Sequence, residues 1–324
     1  MQEVFIKGMT YGWESKRGDY RTEEAVDSLK KLKETGSEWI ALSFFTYQET
    51  YCSTEITFDY NHTMTDRDII FAVKKAKELG LKVCLKPVVN SRDQIWRARI
   101  GFPEEAESKW QAWFQSYRHF LNHYAELAEE LDCEMFTIGC EMVATEHRVT
   151  DWTKVIEEVR QHYSGPIIYN ANHGKEEGVE WFNLVDYIGT SAYYPVANQP
   201  GESVEVMKEN WLPVKEKLAK LHEKFNKPIV FVEIGCRSAQ GCATMPWDFE
   251  HVDLPVDQDE QANFYQSVLE VFWDVPWFAG FFWWDWSTKL YPLEEAATNN
   301  WFDIYGKKAE QVVREFYLNG KRGR

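Results

Sequence analysis

The sequence predicts a (β/α)8 barrel, also called a TIM barrel, that forms a single domain. Strand patterns alternate with helix patterns eight times, the length of 324 residues suits one large barrel, and no linker rich in proline, glycine or serine divides the chain. We expect the barrel at residues 1–318 and a frayed tail at 319–324. The main rival, a doubly wound open sheet, usually has a glycine-rich phosphate loop after its first strand, and GMTYG at 8–12 does not match one.

The strands are predicted from short apolar runs rich in β-branched and aromatic residues, as expected for strands buried on both faces. The clearest is PIVFVEIGC at 228–236, and EMFTIGCEM at 134–142 resembles it, because each run carries a glutamate close to its end. The eight predicted strands are 5–12, 39–47, 82–90, 134–141, 166–172, 187–194, one that begins at 228, and 278–286.

The helices are predicted from their caps and their apolar spacing. Thr22 is suited to cap the first helix, with Glu23 and Glu24 in its first turn and Gly36 at its end, and Gly80 ends the second helix in the same way. The predicted helices are 22–35, 65–79, 108–131, 151–162, 203–225, 257–272 and 307–317, with a short turn or helix at 176–182.

Composition excludes several classes of partner. The net charge is −16, which argues against nucleic acid and against an anionic membrane surface, and no run of about 18 apolar residues is present to span a membrane. The chain has 15 Trp, 16 Tyr and 20 Phe, more than a core alone requires, and aromatic rings also form platforms for sugar rings. A neutral substrate is the simplest expectation.

The cysteines and the first residues bear on location. The six cysteines have no C-x-x-C spacing and several lie in predicted strands, which favours reduced, buried thiols over disulfides or a zinc site. The first residues do not form a basic leader followed by an apolar run. We therefore expect a cytoplasmic protein, or a secreted one if a leader has been removed.

Reactive groups of a (β/α)8 barrel lie at the carboxyl ends of the strands. The predicted ends are rich in carboxylate, amide, phenol and indole groups, with no row of histidines or aspartates for a metal: Tyr11, Trp13, Gln48, Lys86, Asn90, Glu141, Asn170, Asn172, Tyr193, Tyr194, Glu233, Trp283, Trp284, Asp285 and Trp286. His119 and His123 stand four residues apart on a helix, but no glutamate follows the first histidine, which favours a solvated helix face over a zinc pair.

Alternation along each strand predicts which side chains point into the barrel. In the fourth strand the polar and small set is predicted to point inward: Thr137, Gly139 and Glu141. Cys140 is then predicted to face outward, and Glu233 to share a face with Phe231.

Two buried glutamates at strand ends require a reason, because an unpaired buried carboxylate is costly. Either each glutamate pairs with a lysine or arginine that lines the barrel, or Glu141 and Glu233 face each other. Facing carboxylates divide into one ionised group and one protonated group. That division suits glycoside hydrolysis with retention, in which the carboxyls stand roughly 5–5.5 Å apart.

Five short segments lie in order along nearly the whole chain: KGMTYGW at 7–13, TIGCE at 137–141, SAYYP at 191–195, VEIG at 232–235 and FWWDW at 282–286. None is specific alone. The ordered set resembles glycoside hydrolase family 113, the β-1,4-mannanases, within the large clan of retaining (β/α)8 glycosidases.

The resemblance implies that Glu141 is the acid/base and Glu233 the nucleophile. It also implies that a tyrosine of the sixth strand orients the nucleophile and that a tryptophan of the eighth strand forms the floor under the sugar. Many members of the clan have an asparagine immediately before the acid/base, which contacts the sugar 2-hydroxyl, whereas Cys140 stands there in this chain. We therefore expect Asn90, Asn170 or Asn172 to contact the sugar 2-hydroxyl, or the axial 2-hydroxyl of mannose to be recognised in a different way.

The prediction is therefore a retaining endo-β-1,4-mannanase that acts on mannan and manno-oligosaccharides, without a cofactor or metal and as a monomer. The predicted substrate-binding residues are Trp13, Lys86, Asn90, Trp96, Asn170, Asn172, Tyr193, Tyr194, Trp283, Trp284 and Asp285. Trp96 is open to a second interpretation, as a hydrophobic anchor of its loop. The nearest alternative function is an exo-acting β-mannosidase or another retaining β-glycosidase. Two alternatives of other classes are a lyase or aldolase that forms a Schiff base on Lys86, and a sugar-binding barrel without catalysis.

Overall fold

Eight parallel strands close into a barrel in the computed structural model, which describes residues 5–58 and 63–322. Each strand pairs with the next in the sequence, and β1 also pairs with β8, which closes the sheet. The strands are β1 Ile6–Tyr11, β2 Trp39–Gln48, β3 Lys82–Ser91, β4 Met135–Cys140, β5 Ile167–Asn172, β6 Tyr187–Ser191, β7 Ile229–Ile234 and β8 Phe278–Trp286. The predicted (β/α)8 fold is confirmed.

Helices follow every strand except β5. They are α1 Glu23–Glu34, α2 Asp66–Glu78, α3 Glu107–Glu130, α4 Val149–His162, α5 Val204–Phe225, α6 Gln258–Phe272 and α7 Lys308–Arg314. Between β5 and β6 the described chain forms two short 3₁₀ turns, Glu176–Gly178 and Phe182–Leu184, in place of a helix. Thr22 caps α1 as predicted, since its side chain accepts from the backbone N–H of Ala25.

Two large apolar clusters fill most of the described structure. The larger lies between the strands and the helices and includes Phe136, Ile138, Phe231 and most of the buried tryptophans. The smaller of these two is formed by strand residues alone, from seven strands, and fills the barrel interior. Its members are Ile6, Trp39, Ala41, Cys84, Met135, Ile168, Val230, Val232, Ala279 and Phe282.

The simple alternation predicted for β4 is wrong beyond Thr137. The register between β4 and β5 shifts between Thr137 and Cys140, so Cys140 rather than Gly139 joins Thr137 on the inner face. Gly139 faces the helices, because a Cβ there would lie 2.8 Å from the Tyr169 ring and 3.0 Å from Trp152. The position of Glu141 therefore does not follow from strand alternation.

The predicted sharing of a face by Phe231 and Glu233 is also wrong. Phe231 packs outward against Phe272, with ring centroids 4.8 Å apart, whereas Glu233 contacts residues inside the barrel. The registers of β7 with both neighbours shift in this segment. A register irregularity therefore turns the end of β7 as well as the end of β4 toward the barrel axis.

Beyond α7 the chain continues as a short π-helical turn, Glu315–Asn319. In the segment that we predicted as a frayed tail, Arg322 donates hydrogen bonds to the backbone oxygens of Trp273 and Val275, at 2.8 and 3.0 Å. Residues 323 and 324 of that predicted tail lie outside the described residues. Among the helices of the described ranges, none combines the length and the apolar character needed to cross a bilayer.

Candidate active site

Glu233 is the centre of the buried polar network at the carboxyl end of the barrel. It is only 4 % exposed, and its Oε1 forms an ion pair with the fully buried Lys86 of β3. The same oxygen accepts from Asn170 Nδ2 at 3.1 Å and from Cys140 Sγ at 3.2 Å. Its Oε2 accepts from the hydroxyl of Tyr193 at 3.3 Å. Side chains from four other parts of the barrel therefore orient one carboxylate.

The charges around Glu233 keep it ionised. Burial by itself would raise the pKa of Glu233, but Lys86 and Arg97, with the hydrogen bonds from Lys86 and Cys140, hold that pKa below its usual range. Burial would lower the pKa of Lys86, and the negative charge of Glu233 raises it above the usual value instead. The pair is therefore a carboxylate and an ammonium ion, which is the state a nucleophilic carboxylate requires.

Glu141 lies immediately after β4, in a different environment. Its Oε1 accepts from Asn172 Nδ2 at 3.0 Å, and its Oε2 lies 3.4 Å from the indole N–H of Trp96 and 3.6 Å from the Arg97 guanidinium. The backbone at Glu141 is left-handed, with φ of 53°, a conformation that a residue other than glycine seldom adopts. This turn brings the side chain to the rim after the register shift in β4.

Arg97 connects the surroundings of the two glutamates. It lies in the loop after β3, is 8 % exposed, and its positive charge acts on both Glu141 and Glu233. Its guanidinium also lies over the Trp13 ring, 5.5 Å from the centroid. We did not predict Arg97 as a site residue, although it follows the predicted Trp96 directly.

Aromatic rings form one wall of the site. Trp284, Tyr193 and Phe302 form a small buried cluster, against which Trp13 and Trp301 pack. The centroid of Trp284 lies 4.5 Å from that of Trp13, and Lys86 Nζ lies 5.9 Å above the Trp284 ring. Apolar rings beside two carboxylates are a suitable surface for the weakly polar faces of a sugar.

Two further groups of aromatic residues extend this rim in opposite directions. On the side of β1 and β2, a depression of about 370 Å³ is lined by Trp13, Phe45 and Tyr47 among others. On the side of β5 to β7, His173, which follows Asn172, stacks on Trp247 with centroids 5.3 Å apart. Trp247 is 41 % exposed, so one side of its ring is open to solvent. The two groups extend the polar centre into an elongated surface.

The comparisons with known proteins agree with this geometry. The sequence model described as Glycoside Hydrolase Family 113 matches residues 9–307. The chain belongs to glycoside hydrolase family 113. It is therefore a glycoside hydrolase, and the predicted family is confirmed. A search of curated protein sequences gave no match.

Solved structures of family 113 enzymes resemble the chain over its whole length. A β-mannanase from Alicyclobacillus acidocaldarius, AaManA, in complex with ManMIm, is 38 % identical, with a TM-score of 0.91 and 99 % of each chain covered. Another family 113 β-1,4-mannanase is 37 % identical, with a TM-score of 0.91 and coverage of 98 % of this chain and 99 % of that one. The β-glucuronidase of Faecalibacterium prausnitzii has a TM-score of 0.64 at 15 % identity, over 99 % of this chain and 50 % of its own, and shares the fold alone.

The structure brings most of the predicted site residues of this family 113 enzyme together. Glu141, Glu233, Lys86, Asn170 and Tyr193 belong to the network described above, as do Asn172, Trp96, Trp13 and Trp284. Asp285 is buried beside Trp284; burial raises its pKa well above the usual value, and the charges of Asp303 and Glu14 add to the shift. Its contact with a substrate stays a prediction.

Three predicted residues have other surroundings. Trp283 is fully buried on the helix side of β8, stacked on Tyr265 with centroids 4.2 Å apart, so it cannot contact a substrate. Trp284 points to the site because neighbouring strand residues face opposite sides. The hydroxyl of Tyr194 donates to Glu176 rather than to Glu233. Asn90 lies half-buried at the end of β3 and forms no side-chain hydrogen bond within the described residues.

The predicted alternatives on histidine and cysteine chemistry can also be compared with the structure. His123 bonds to Asp66 at 2.9 Å, and His119 is exposed, so this pair forms a helix surface. No group of three or more histidine, cysteine or acidic side chains within residues 5–58 and 63–322 has the arrangement of a metal site. The six cysteines are unpaired, and Cys236 Sγ lies 3.3 Å from Cys242 Sγ beside the end of β7.

Proposed function

We propose that this family 113 enzyme hydrolyses β-1,4-mannosidic bonds of mannan and manno-oligosaccharides with retention of configuration. The observation that carries the proposal is the contrast between two buried carboxyl groups at one rim, Glu233 held as a carboxylate by Lys86, and Glu141 beside Asn172 and Trp96. The solved family 113 structures, described as β-1,4-mannanases, support the substrate class.

In the first step, Oε2 or Oε1 of Glu233 attacks the anomeric carbon of the sugar. The bond from that carbon to the leaving oxygen breaks, and the leaving oxygen takes the proton of Glu141. A covalent glycosyl-enzyme results. In the second step Glu141 removes a proton from water, the water oxygen attacks the anomeric carbon, and the ester bond to Glu233 breaks. Two displacements at one carbon retain the configuration.

The residues around Glu233 are suited to this sequence. Tyr193 and Asn170 hold the carboxylate in one orientation, so little freedom is lost when it attacks. Asn170 also donates to Cys140 Sγ, at 3.2 Å, and accepts from Ser191 at 3.3 Å. Asn170 is fully buried and both ends of its amide have partners within the protein, so its role in the proposal is to hold Glu233 and Cys140 in place.

The state of Lys86 disfavours the Schiff-base alternative. A lysine attacks a carbonyl only as the neutral amine. Lys86 is enclosed beside Glu233, whose negative charge raises its pKa above the usual value. Its role in the proposal is to be the counter-charge of the nucleophile.

Endo action is supported by the aromatic residues on both sides of the two glutamates. The Trp13 depression lies toward β1 and β2, and Trp247 lies across the rim, beside His173 of the loop after β5. Sugar units of a polymer could therefore stack on both sides of the bond that is cut. An exo-acting enzyme would have one of these sides closed.

The experiment follows the products from mannohexaose and from polymeric mannan over time, for the wild type and for Glu233→Gln. We expect mixed oligosaccharides early in the reaction and none with the variant. Mannose released alone from one end would replace endo action with exo action, and cleavage that persists in Glu233→Gln would contradict the mechanism. Glu129→Gln, an exposed glutamate bonded to Ser164, is the matched control and should keep full activity.

The monomeric state stays a prediction from the sequence. Light scattering during gel filtration should give a mass near 38.2 kDa. The cytoplasmic location stays a prediction from the sequence.

A further inference from the structure

A buried glutamate that the mechanism does not use lies behind the acid/base. Glu146 follows a 3₁₀ turn, Val143–Thr145, that begins two residues after Glu141. It is 4 % exposed, and its Oε1 accepts from the hydroxyl of Tyr169 at 2.6 Å. A carboxyl group in an apolar layer of tryptophan and tyrosine rings is costly, so its position requires an explanation.

The hydroxyl of Tyr169 makes a second hydrogen bond, which leads to the acid/base. It accepts from the backbone N–H of Met142 at 3.0 Å. That N–H belongs to the peptide unit between Glu141 and Met142, so its direction is set by the ψ angle of Glu141. A hydrogen bond that holds this N–H therefore restricts the backbone of Glu141 itself.

The preceding peptide unit is held as well. The N–H of Glu141 donates to the carbonyl of Asn170 at 2.7 Å. Tyr169 and Asn170 are neighbours in β5, so consecutive residues of one strand hold the peptide units on both sides of Glu141. This restraint is needed because Glu141 has the left-handed φ of 53°, which is unfavourable for a residue with a side chain.

We call the series of hydrogen bonds from Glu146 through the Tyr169 hydroxyl to the Met142 N–H the relay. Its Glu146 end is fixed to the protein interior. The carbonyl of Glu146 accepts from the indole N–H of Trp181 at 3.0 Å, and the carbonyl of Thr145 accepts from that of Trp152 at 3.1 Å. Trp152 and Trp181 stack on each other with centroids 4.6 Å apart, and the Tyr169 ring packs against both. Glu146 therefore cannot move without disturbing two buried indoles.

The charge state of Glu146 is consistent with a group kept for its hydrogen bond. Burial raises the pKa of Glu146 to about 7, although donation from Tyr169 opposes the shift. Interactions with the carboxyl groups of Glu176, from the turn after β5, and of Glu141 add to the rise in the pKa, and Lys175 lowers it. The carboxyl can accept from Tyr169 on either side of neutral pH.

We propose that Glu146 and Tyr169 are positioning residues for the acid/base: Glu146 orients the Tyr169 hydroxyl, which holds the Met142 amide and with it the left-handed turn that aims Glu141 at the leaving oxygen. The proposal rests on the proposed glycosidase mechanism. Neither residue contacts a substrate in it, and both act through Glu141.

The kinetic test distinguishes a loss of Glu141 positioning from a general loss of stability. It compares leaving groups that need a proton from Glu141 with one that does not. Departure of 2,4-dinitrophenolate needs no protonation, whereas departure of a sugar or of 4-methylphenolate does. For Tyr169→Phe we expect kcat/KM to fall about tenfold or more for the poor leaving groups and less than about twofold for the dinitrophenyl β-mannoside. Glu146→Ala should have the same pattern, and Glu146→Gln, which keeps an acceptor oxygen, should restore most of the activity.

Tyr163→Phe is the matched control. Its buried hydroxyl donates to the carbonyl of Cys133 at 2.6 Å, before the start of β4 and away from both glutamates. We expect it to lower thermal stability as much as Tyr169→Phe does, with the same dependence on leaving group as the wild type. Equal losses of kcat/KM for good and poor leaving groups in Tyr169→Phe would overturn the proposal.

A crystal structure of Tyr169→Phe gives a readout that does not depend on the substrate. We expect the peptide between Glu141 and Met142 to rotate and the Glu141 carboxyl to leave Asn172. An unchanged peptide would overturn the relay whatever the kinetics. If the wild type cleaves no mannan or mannoside, the proposed function falls, and the crystal structure still decides between the relay and a structural role alone.

Discussion

Lys86, in the middle of β3, and Glu233, near the carboxyl end of β7, form an ion pair, with Lys86 fully enclosed and 5 % of the Glu233 side chain exposed. Two charges so far from water are stable only if each satisfies the other and additional hydrogen bonds complete the shell. Asn170, Cys140 and Tyr193 complete it for Glu233. The same pairing fixes the ionisation of the proposed nucleophile, so a single contact bears on both stability and catalysis.

Replacing Lys86 by methionine should move the acid limb of kcat/KM to higher pH. The pKa of Glu233 is lowered in the folded enzyme. The ionised Glu233 therefore stabilises the folded state above its unfolded-state pKa of about 4.3, and this stabilisation is lost as the pH falls through the folded-state pKa. Without Lys86 the limb should rise by about one unit or more, and the free energy of unfolding at pH 7 should fall by about 3–5 kcal/mol. A pH–rate profile and urea unfolding measure the two effects.

Lys217→Met is the control for that experiment. Lys217 pairs with another fully buried glutamate, Glu176, at 3.2 Å, but it is partly exposed and has no contact with Glu233. It should lower stability by less and leave the acid limb in place. An acid limb that does not move in Lys86→Met would show that the lysine does not set the charge of the nucleophile.

The adjacent tyrosines Tyr193 and Tyr194 should respond differently to the loss of the hydroxyl. Tyr193 donates to Glu233 and Tyr194 donates to Glu176. A hydrogen bond to a charged group contributes about 1.5–3 kcal/mol, so kcat/KM of Tyr193→Phe should fall by about 10- to 150-fold. Tyr194→Phe should stay within about threefold of the wild type. Kinetics on mannohexaose decide, and equal losses would contradict the assignment of Tyr193.

The adjacent tryptophans of β8 should separate binding from stability. Trp283 is enclosed between Tyr265 and Phe281, so Trp283→Ala should lower the free energy of unfolding by about 3–5 kcal/mol. Trp284 lies in the site cluster with Tyr193, so Trp284→Ala should lower kcat/KM by about tenfold or more with a smaller loss of stability. Chemical denaturation and mannohexaose kinetics test the pair; the reverse pattern would mean that Trp283 forms the sugar floor.

Azide should distinguish the two glutamates. In Glu141→Ala no carboxylate repels the anion, and no proton is needed if the leaving group is dinitrophenolate. We expect the product to be the β-mannosyl azide, formed from the glycosyl-enzyme. In Glu233→Ala, attack by azide on the substrate itself should yield the α-mannosyl azide. Proton NMR of the products identifies the anomer, and the opposite pairing would exchange the roles of the two residues.

Much of the site could be predicted from the residues at the ends of the predicted strands. The polar residues that end the buried runs could be assigned to one rim because parallel strands of a barrel end at the same face. Glu141 and Asn172 were found in this way, and they contact each other. Lys86 was predicted at the same rim but lies in the middle of β3, from where it contacts Glu233. Arg97 was missed, because a loop arginine has no periodic pattern that would assign it to the site.

The details within each strand could not be read from alternation. Alternation assumes a regular strand, and β4 and β7 both have register shifts immediately before their glutamates. Cys140 therefore faces inward against prediction, where it contacts Glu233. In β8 the pairing with β1 is regular up to Trp283, and alternation there explains why Trp284 and not Trp283 faces the site, although both had been predicted to bind substrate.

The sequence by itself determined the eightfold alternation, the helix caps and the presence of a glutamate at the ends of two buried strands, because each depends on residues close together in the chain. The tertiary structure alone decided the partners: Lys86 with Glu233, Tyr193 rather than Tyr194 on the nucleophile, and Tyr169 beneath Glu141. These contacts join residues 27 to 147 positions apart. They depend on the register and twist of the closed sheet, which a local pattern does not contain.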